Sequence, residues 1–333
     1  METAPAPHRP PVNPSGTATA IRTAGLRKVY QRGQGDLVAL EGLDLTINQG
    51  EFFGLLGTNG AGKSTTIGML TTLVTPTAGR AWVAGHEVGS DPVGVKSRIG
   101  VVPQANTLDR ALTVLDNLAF RGRYFGMSAS AARRRALELL EQFALADKAG
   151  AKVHQLSGGQ ARRVMIGRAL MHLPEVLFLD EPTAGVDPRA REDLWRIIGS
   201  LHEAGQTVVL TTHHLDEAEA LCRRLAVIDH GRLLACDTPE AIKATSGAQT
   251  VITVRYDADA APVADAVRRI PGGPHDIAVD GPTVRVRTTR PDGVLGHLLR
   301  EAGAAGLNAR DAATAPPSLQ TAFLTLTGRD YQP

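Results

Sequence analysis

A glycine-rich loop between a buried strand and a helix constrains this chain more than any other feature. Residues 51–56 form a short apolar run, residues 57–64 read Gly-Thr-Asn-Gly-Ala-Gly-Lys-Ser, and a helix-compatible run continues to residue 73. In this context the motif G-x-x-x-x-G-K-S/T binds phosphate. Glycines let successive backbone amides turn inward around phosphate oxygens, and the following helix presents its positive N-terminal end. The loop therefore predicts a phosphate-binding α/β unit.

Two side chains at the end of the loop have separate expected roles. Lys63 can reach the β- and γ-phosphates of a nucleotide, and the Ser64 hydroxyl can bind Mg²⁺, which prefers a few protein oxygens together with phosphates and waters. The alternative is a glycine-rich turn that ends in Lys-Ser by chance, and the flanking strand and helix argue against it. The residues expected to contact the bound nucleotide are Gly57, Thr58, Asn59, Gly60, Ala61, Gly62, Lys63, Ser64 and Thr65.

An acidic pair follows the apolar strand-like run at residues 176–179. Asp180 stands at the strand end, where a carboxylate fits a magnesium ligand, and Glu181 is one residue further on. A carboxylate at that position can orient or deprotonate an attacking water. An exposed turn is the alternative interpretation of a lone Asp-Glu pair. In a chain that already has a phosphate loop, the pair predicts a hydrolytic site.

The order of patterns along the chain predicts an α/β domain at residues 21–245 and a smaller domain at residues 246–333. Residues 21–47 show the pattern of a β-hairpin. Strands and helices alternate after residue 175, with a helix expected at residues 215–224, and this alternation implies a parallel sheet covered by helices. Residues 106–172 show only helical spacing, which indicates a helical insert. The later segment reads βαββαβ, a ferredoxin-like order whose first helix is expected at residues 262–270 and whose last strand is expected at residues 306–310, and it ends in an amphipathic helix. Residues 1–20 are expected to form a disordered tail.

Composition excludes several classes of protein. The chain has 333 residues, and 36 Lys and Arg against 34 acids give a net charge of +2, so nothing predicts nucleic-acid binding. No apolar run approaches the ~20 residues that a membrane crossing needs. Two separated cysteines, Cys222 and Cys236, form neither a disulfide framework nor a zinc spacing.

A pentapeptide between the two phosphate-directed motifs carries a family resemblance. It consists of Leu156, Ser157, Gly158, Gly159 and Gln160, and it opens a helix. With it, residues 22–245 resemble the ATP-binding subunits of ABC transporters. The resemblance implies a P-loop NTPase cassette with a helical subdomain, followed here by the small C-terminal α+β domain. It also implies an ATPase that uses ATP and Mg²⁺.

The resemblance assigns four further positions, one at a time. Tyr30 matches the aromatic residue that stacks on adenine, and Gln104 matches the glutamine that reaches Mg²⁺ and water. Asp187 matches a loop that contacts the other subunit, although it is also a sufficient helix N-cap. His213 matches the switch histidine that contacts the γ-phosphate. The adjacent His214 leaves the register and a metal-binding alternative open. The implied metal ligands are Ser64, Gln104 and Asp180.

The resemblance also implies partners. Two copies pack head to tail in this family, so that residues 156–160 of one close the ATP site of the other, and the dimer drives a separate membrane permease from the cytoplasmic face of the membrane. Residues 101–109, 121–127 and 317–328 are similar to the ATPases of daunorubicin-resistance and nodulation-factor exporters. This favours export of a drug, a lipid or another hydrophobic compound. A soluble ABC ATPase without a transport role and a non-hydrolysing regulatory module are the alternatives.

Overall fold

The computed structural model describes residues 18–33, 35–247, 249–263 and 276–328. The chain divides into two compact units, residues 1–238 and 239–333. The first unit holds two sheets and a helical insert, and the second holds one sheet with its helices. The boundary at Thr238 corrects the expected one near residue 245, because the helix at residues 239–245 packs against the last helix of the chain within the second unit.

A six-stranded sheet forms the centre of the first unit, in the order β10-β9-β3-β8-β7-β6. The strands β3, β6, β7, β8 and β9 run parallel, and β10 pairs antiparallel with β9 at one edge. Every residue of β3 and β8 is buried, as expected for strands covered on both faces. The bounds of the strands are β3 Phe52–Leu56, β6 Ile99–Val102, β7 Val176–Asp180, β8 Thr207–Thr212, β9 Arg224–Asp229 and β10 Arg232–Asp237.

Helices connect these parallel strands, as the alternation in the sequence predicted. One of them, α1, begins in the glycine-rich loop, α6 follows the acidic pair, and α7 follows the histidine pair. The helix α6 has Asp187 as its N-cap and Pro188 at its first position. The helix α7 is shorter than expected because Arg224 already begins β9. The bounds are α1 Lys63–Leu70, α2 Pro92–Arg98, α6 Pro188–Glu203 and α7 Leu215–Leu221.

A four-stranded antiparallel sheet, in the order β2-β1-β4-β5, packs on the central sheet. Its strands are β1 Thr19–Arg32, β2 Gly35–Asn48, β4 Ala78–Val83 and β5 His86–Glu87. The pairing of β1 with β2 confirms the expected hairpin. The expected tail at residues 1–20 is too long, because Thr19 and Ala20 already belong to β1; residues 1–17 lie outside the described part of the chain.

The helical insert is confirmed, since the described residues 106–172 contain helices and no strand. Its three α-helices are α3 Val114–Tyr124, α4 Ala129–Gln142 and α5 Gly158–Ala169, with two short 3-10 turns at Ala146–Lys148 and Val153–Gln155. Leu118, Leu139 and Leu140 are among the buried side chains that hold the three helices together. Serine caps begin two of the helices, Ser128 at α4 and Ser157 at α5.

The second unit contains a four-stranded antiparallel sheet in the order β12-β13-β11-β14. This is the order of a ferredoxin-like sheet, and it confirms the four strands and the second helix of the βαββαβ interpretation. The first helix of that pattern, expected at residues 262–270, lies almost wholly outside the described residues. The other elements are α8 Pro239–Thr245, β11 Thr250–Tyr256, β12 Asp276–Asp280, β13 Thr283–Thr288, α9 Val294–Ala304, β14 Ala309–Ala315 and α10 Leu319–Thr327.

One strand of this unit begins three residues later than the sequence predicted. The helix α9 closes with a turn in which the Leu307 amide donates to the Ala302 carbonyl at 2.8 Å, and Gly306 adopts a φ of 74°. This left-handed closure is the usual way in which glycine ends a helix. Residues 306–308 therefore belong to the turn, and the expected strand at residues 306–310 is observed at Ala309–Ala315.

Candidate active site

The site forms at the carboxyl ends of neighbouring parallel strands, where the phosphate loop, the acidic pair and the histidine pair each leave the sheet. The phosphate loop follows β3, Asp180 is the last residue of β7, and His213 comes directly after β8. Because β3, β8 and β7 are consecutive in the sheet, residues that are about 30 to 150 positions apart in the chain meet at one edge.

Two glycines of the phosphate loop have no room for a side chain. A Cβ on Gly57 would lie 2.3 Å from the Ile228 carbonyl oxygen, and one on Gly62 would lie 2.5 Å from the Ala39 carbonyl oxygen. Gly62 also has a φ of 109°, and it stands immediately before α1. Since this backbone conformation favours glycine, the loop is shaped by its glycines before any ligand binds.

The Lys63 ammonium is buried inside the loop that it terminates. It donates to the Gly57 carbonyl at 2.9 Å and to the Thr58 carbonyl at 3.2 Å, and it lies 3.4 Å from a Glu181 carboxylate oxygen. Only 3% of its side chain is exposed. The amine is thus held in place by its own loop, and its charge is balanced by the acid that follows β7.

Asp180 is held by hydroxyl groups from two sides. Thr211 donates to its Oδ1 at 2.5 Å, and the Ser64 hydroxyl lies 3.5 Å from the same oxygen. A serine hydroxyl and a carboxylate at this spacing are oxygen ligands of the kind that Mg²⁺ takes. Gln104 lines the same cavity as Ser64, and its side-chain amide carries a further oxygen.

Glu181 is the centre of the site. Its carboxylate accepts from the Gln104 side-chain amide at 3.1 Å, lies 3.2 Å from Nδ1 of His213 and forms the contact with Lys63. Glu181 is 8% exposed and has a φ of 45°. Such a conformation is costly for a residue with a side chain and is kept only when neighbours hold it. Here Thr211 accepts from the Glu181 amide at 3.0 Å through its hydroxyl and at 3.1 Å through its carbonyl.

An open cavity of about 530 Å³ joins most of the expected nucleotide contacts. Its walls include Tyr30 from β1, residues of the phosphate loop, Gln104 and Glu181. His230, which follows β9, also lines it and was not expected from the sequence. Tyr30 adds an aromatic ring to the lining, and the Lys28 ammonium lies 5.0 Å from its ring centroid. The lining therefore combines an aromatic ring with cationic and amide donors.

Comparisons with known proteins agree with this geometry. Residues 40–184 match the family model described as ABC transporter. The chain is 41% identical over 312 residues to the daunorubicin resistance ATP-binding protein DrrA3 of Streptomyces coeruleorubidus, covering 94% of this chain and 97% of that protein. It is also 41% identical to the Nod factor export ATP-binding protein I of Rhizobium sp. (strain N33), covering 94% and 98%.

The chain belongs to the ATP-binding subunits of ABC transporters. A third relative, the linearmycin resistance ATP-binding protein LnrL of Bacillus subtilis (strain 168), is 36% identical and covers 93% of this chain. Among solved structures, the dimeric post-hydrolysis state of the ATP-binding cassette MJ0796 bound to ADP and Pi is 30% identical with a TM-score of 0.61. It covers 66% of this chain and 98% of that one, so this ABC ATPase has a complete nucleotide-binding cassette and a further C-terminal segment.

The pentapeptide that carried the resemblance lies apart from this site in the ABC cassette. None of residues 156–160 is among the described residues that line the cavity. Ser157 is the exposed N-cap of α5, accepting from the Gln160 amide at 3.2 Å, and the Gln160 side chain accepts in return from the Ser157 amide at 2.9 Å. Asp187 likewise caps its own helix by accepting from the Ala190 amide at 3.0 Å. One copy of the subunit therefore does not bring these residues to its own phosphate loop.

The two adjacent histidines make different contacts. His213 faces Glu181, whereas the His214 ring is tilted against that of His213 at a centroid distance of 4.1 Å, and its backbone amide donates to the Thr212 hydroxyl. Among the residues that the structure describes, no group of three or more His, Cys, Asp or Glu is arranged to hold a metal ion. The contact with Glu181 thus agrees with His213 as the switch position of the ABC cassette.

Three buried polar residues of this ABC subunit were missed by sequence reasoning. Thr211 holds Asp180 and Glu181, as described above. Arg162, 6% exposed, donates to three backbone carbonyls beside the site, and Glu217, fully buried, accepts from Thr183 at 2.9 Å and from Trp195 at 3.1 Å. In the sequence, only their position within segments that carry a motif could have pointed to these three residues. Their hydrogen-bond partners lie up to 59 residues away in the chain.

Proposed function

We propose that the chain is a Mg²⁺-dependent ATPase in which Glu181 positions and deprotonates the water that attacks the γ-phosphate of ATP. The observation that carries this assignment is the convergence of Lys63, Gln104 and His213 on one carboxylate. In hydrolysis the water oxygen bonds to the γ-phosphorus, the bond to the β–γ bridging oxygen breaks, and the water proton passes to Glu181. Positioned bases of this kind contribute about 10²- to 10⁴-fold to a rate.

The surrounding residues support charge stabilisation during this step. The Lys63 ammonium is placed to exchange its loop carbonyls for phosphate oxygens, and His213 can donate to the γ-phosphate from the side of Glu181. Oxygens of Ser64, Asp180 and Gln104 would hold Mg²⁺, which neutralises developing charge on the phosphates. Because the Gln104 amide nitrogen donates to Glu181, its amide oxygen is left for the ion.

The separation of the pentapeptide from the cavity supports a head-to-tail dimer of two copies. The exposed start of α5 presents the Ser157 hydroxyl, backbone amides and a positive helix end, which together suit a γ-phosphate supplied by another subunit. Two bound ATP molecules would then hold two subunits together, and phosphate release would let them part. The relatedness to a cassette described as dimeric supports the same assembly.

A surface on α3 supports docking to a membrane permease. Phe120 and Tyr124 are 64% and 73% exposed, an unusual state for large aromatic side chains. In contrast, Leu108 and Leu118 are buried and belong to the core of the insert. Within the described residues no helix is long and apolar enough to cross a membrane. From this aromatic surface and the relatedness to ATP-binding subunits of ABC transporters, we infer that the subunit lies at the cytoplasmic face of the membrane, with a separately encoded permease against the surface.

The relatives support export as the direction and hydrophobic compounds as the cargo, since their names refer to daunorubicin resistance, linearmycin resistance and Nod factor export. Cysteines placed along residues 114–124 should cross-link to a co-expressed permease at Phe120 and Tyr124 and not at the buried Leu118. Equal or absent cross-linking at all three positions would move the docking surface elsewhere.

The variant Glu181→Gln tests the chemistry. It preserves the size of the side chain and removes the base, so ATP should still bind, hydrolysis should fall by about 10²-fold or more, and an ATP-bound dimer should accumulate. The measurements are phosphate release and the molar mass in solution with ATP and Mg²⁺. Turnover at the wild-type rate would remove Glu181 from the mechanism, and a monomer at saturating ATP would remove the dimer.

A further inference from the structure

A single buried guanidinium connects three parts of the cassette. Arg162 lies on α5, five residues after the exposed Ser157. Its Nη1 donates to the Pro103 carbonyl at 2.7 Å, and its Nη2 donates to the Gln104 carbonyl at 3.0 Å and to the Glu181 carbonyl at 3.3 Å. The helix, the loop after β6 and the residue after β7 are thus fixed to one rigid, planar group.

The three carbonyls belong to the backbone that carries the reacting side chains. Gln104 and Glu181 are bonded to each other through their side chains at 3.1 Å, and Arg162 holds the main chain from which each of them projects. A displacement of the guanidinium would therefore change the distance between Gln104 and Glu181, or the direction in which the Glu181 carboxylate points.

Burying the charged Arg162 side chain costs free energy, and apolar packing alone does not offset that cost. Burial lowers the pKa of its guanidinium, and the nearby Asp180 and Glu217 carboxylates oppose that shift. The group keeps its charge, because arginine stays protonated in proteins. A buried cation that donates to three neutral carbonyls is retained only where these bonds are made, so its attachment is sensitive to small shifts of α5.

We propose that Arg162 makes hydrolysis in one subunit depend on whether α5 of that same subunit is engaged by the partner's nucleotide. This inference rests on the proposed head-to-tail dimer. The start of α5 contacts the ATP bound by the partner, and Arg162, just over one turn into the helix, passes its position to Gln104 and Glu181 of its own site. The helix is the two-state element, with one position free and one position in the closed dimer. Arg162 is a positioning residue and touches no substrate.

The test uses the full-length chain and the variant Arg162→Lys, with Arg163→Lys as the matched control. Lysine keeps the charge but cannot donate to three carbonyls as a fixed planar fork. Arg163 is the next residue on α5 and donates to the Phe143 carbonyl at 3.4 Å, away from the site. Steady-state hydrolysis against ATP concentration gives kcat, KM and the Hill coefficient, and dye-labelled nucleotide gives the affinity of the monomer.

Wild type should hydrolyse ATP with a Hill coefficient above unity, because hydrolysis at each site depends on nucleotide bound at the other. Arg162→Lys should lower kcat by about ten-fold or more, bring the Hill coefficient to unity and leave the monomer affinity unchanged. Arg163→Lys should match wild type in all three. If Arg162→Lys keeps the kcat and the Hill coefficient of a cooperative wild type, or if it abolishes nucleotide binding by the monomer, the proposal is overturned.

A mixed dimer tests the same coupling without a change at Arg162. The test therefore still works if the Arg162→Lys variant does not fold. One subunit carries Gly158→Asp, whose carboxylate repels the partner's γ-phosphate, and the other subunit is unchanged. Coupling through Arg162 predicts that this one change silences both sites, so activity falls far below half of wild type. Half activity overturns the proposal. A wild type that neither dimerises nor hydrolyses ATP would instead overturn the proposed function itself.

Discussion

The cluster around Glu181 and the start of α5 differ in where their partners lie. The nearly buried Glu181 carboxylate contacts Lys63, Gln104 and His213, which come from three other segments of the chain. Ser157, in contrast, is exposed, and its hydroxyl and its amide bond to Gln160 of the same helix. The proposed function accounts for this difference, since each subunit would hold phosphates at its own loop, and the start of α5 would meet a nucleotide bound by a second copy.

The largest effect should follow from Lys63→Ala, which removes the buried ammonium from the first region. The loss of charge-assisted bonds to phosphate should weaken ATP binding by the monomer by about 10- to 100-fold. Titration of labelled nucleotide measures this. The exposed Lys148→Ala, which loses only a contact with Asp147, should bind like wild type. Unchanged affinity in Lys63→Ala would mean that the loop does not hold the phosphates.

A smaller effect is expected from Thr211→Val, an isosteric change that removes the hydroxyl holding Asp180 and the Glu181 amide. It should lower kcat by about ten-fold and stability by about 1–3 kcal/mol. Thr207→Val is the control, because Thr207 is equally buried at the other end of β8 and accepts from the Gly50 amide. Both variants should melt earlier, but only Thr211→Val should slow hydrolysis. Equal rates in the two variants would deny Thr211 a role at the site.

Two N-cap serines of the helical insert test the start of α5. Ser157→Ala and Ser128→Ala each remove an N-cap and should each cost about 1 kcal/mol of stability. Only Ser157→Ala should also weaken ATP-dependent dimerisation, and neither should change nucleotide affinity of the monomer. Denaturation, light scattering and nucleotide titration separate these outcomes. If Ser128→Ala impairs the dimer as much, the cap and not a ligand contact explains the result.

The smallest effect on either region should come from removing the second unit by truncation after Thr238. None of the described residues that line the nucleotide cavity lies beyond that point, so the remaining cassette should bind ATP with unchanged affinity. We expect dimer stability or transport coupling to decline, because the second unit has its own core and no phosphate-directed motif. A folded truncation product that no longer binds ATP would show that the second unit contributes to the nucleotide site.

Sequence reasoning located residues that belong to short local motifs. It missed residues whose contacts form only when distant segments fold together. The positions of Lys63, Ser64 and Glu181 follow from runs of a few residues, and the parallel sheet follows from alternation. Arg162 and Glu217 could not be found, because a buried charge becomes meaningful only beside carbonyls or donors from distant segments. The strands β4, β5, β6 and β10 and the helix α2 were not predicted either. The elements β5, β6 and α2 are short, with two, four and seven residues, and β4 and β10 carry polar and half-exposed residues that hide the strand pattern.

The order of strands in the central sheet also sets how easily each part of the site can move. The phosphate loop follows β3, which has β8 on one side and β9 on the other, and Glu181 follows β7, which is also paired on both sides. Gln104 follows β6, a four-residue strand at the edge whose ladder is made with β7 alone. Edge segments open at lower free energy than central ones. The segment that carries Gln104 should therefore move more easily than the phosphate loop at the centre of the sheet. Its displacement breaks a few hydrogen bonds between β6 and β7 and leaves the pairing of β3 unchanged.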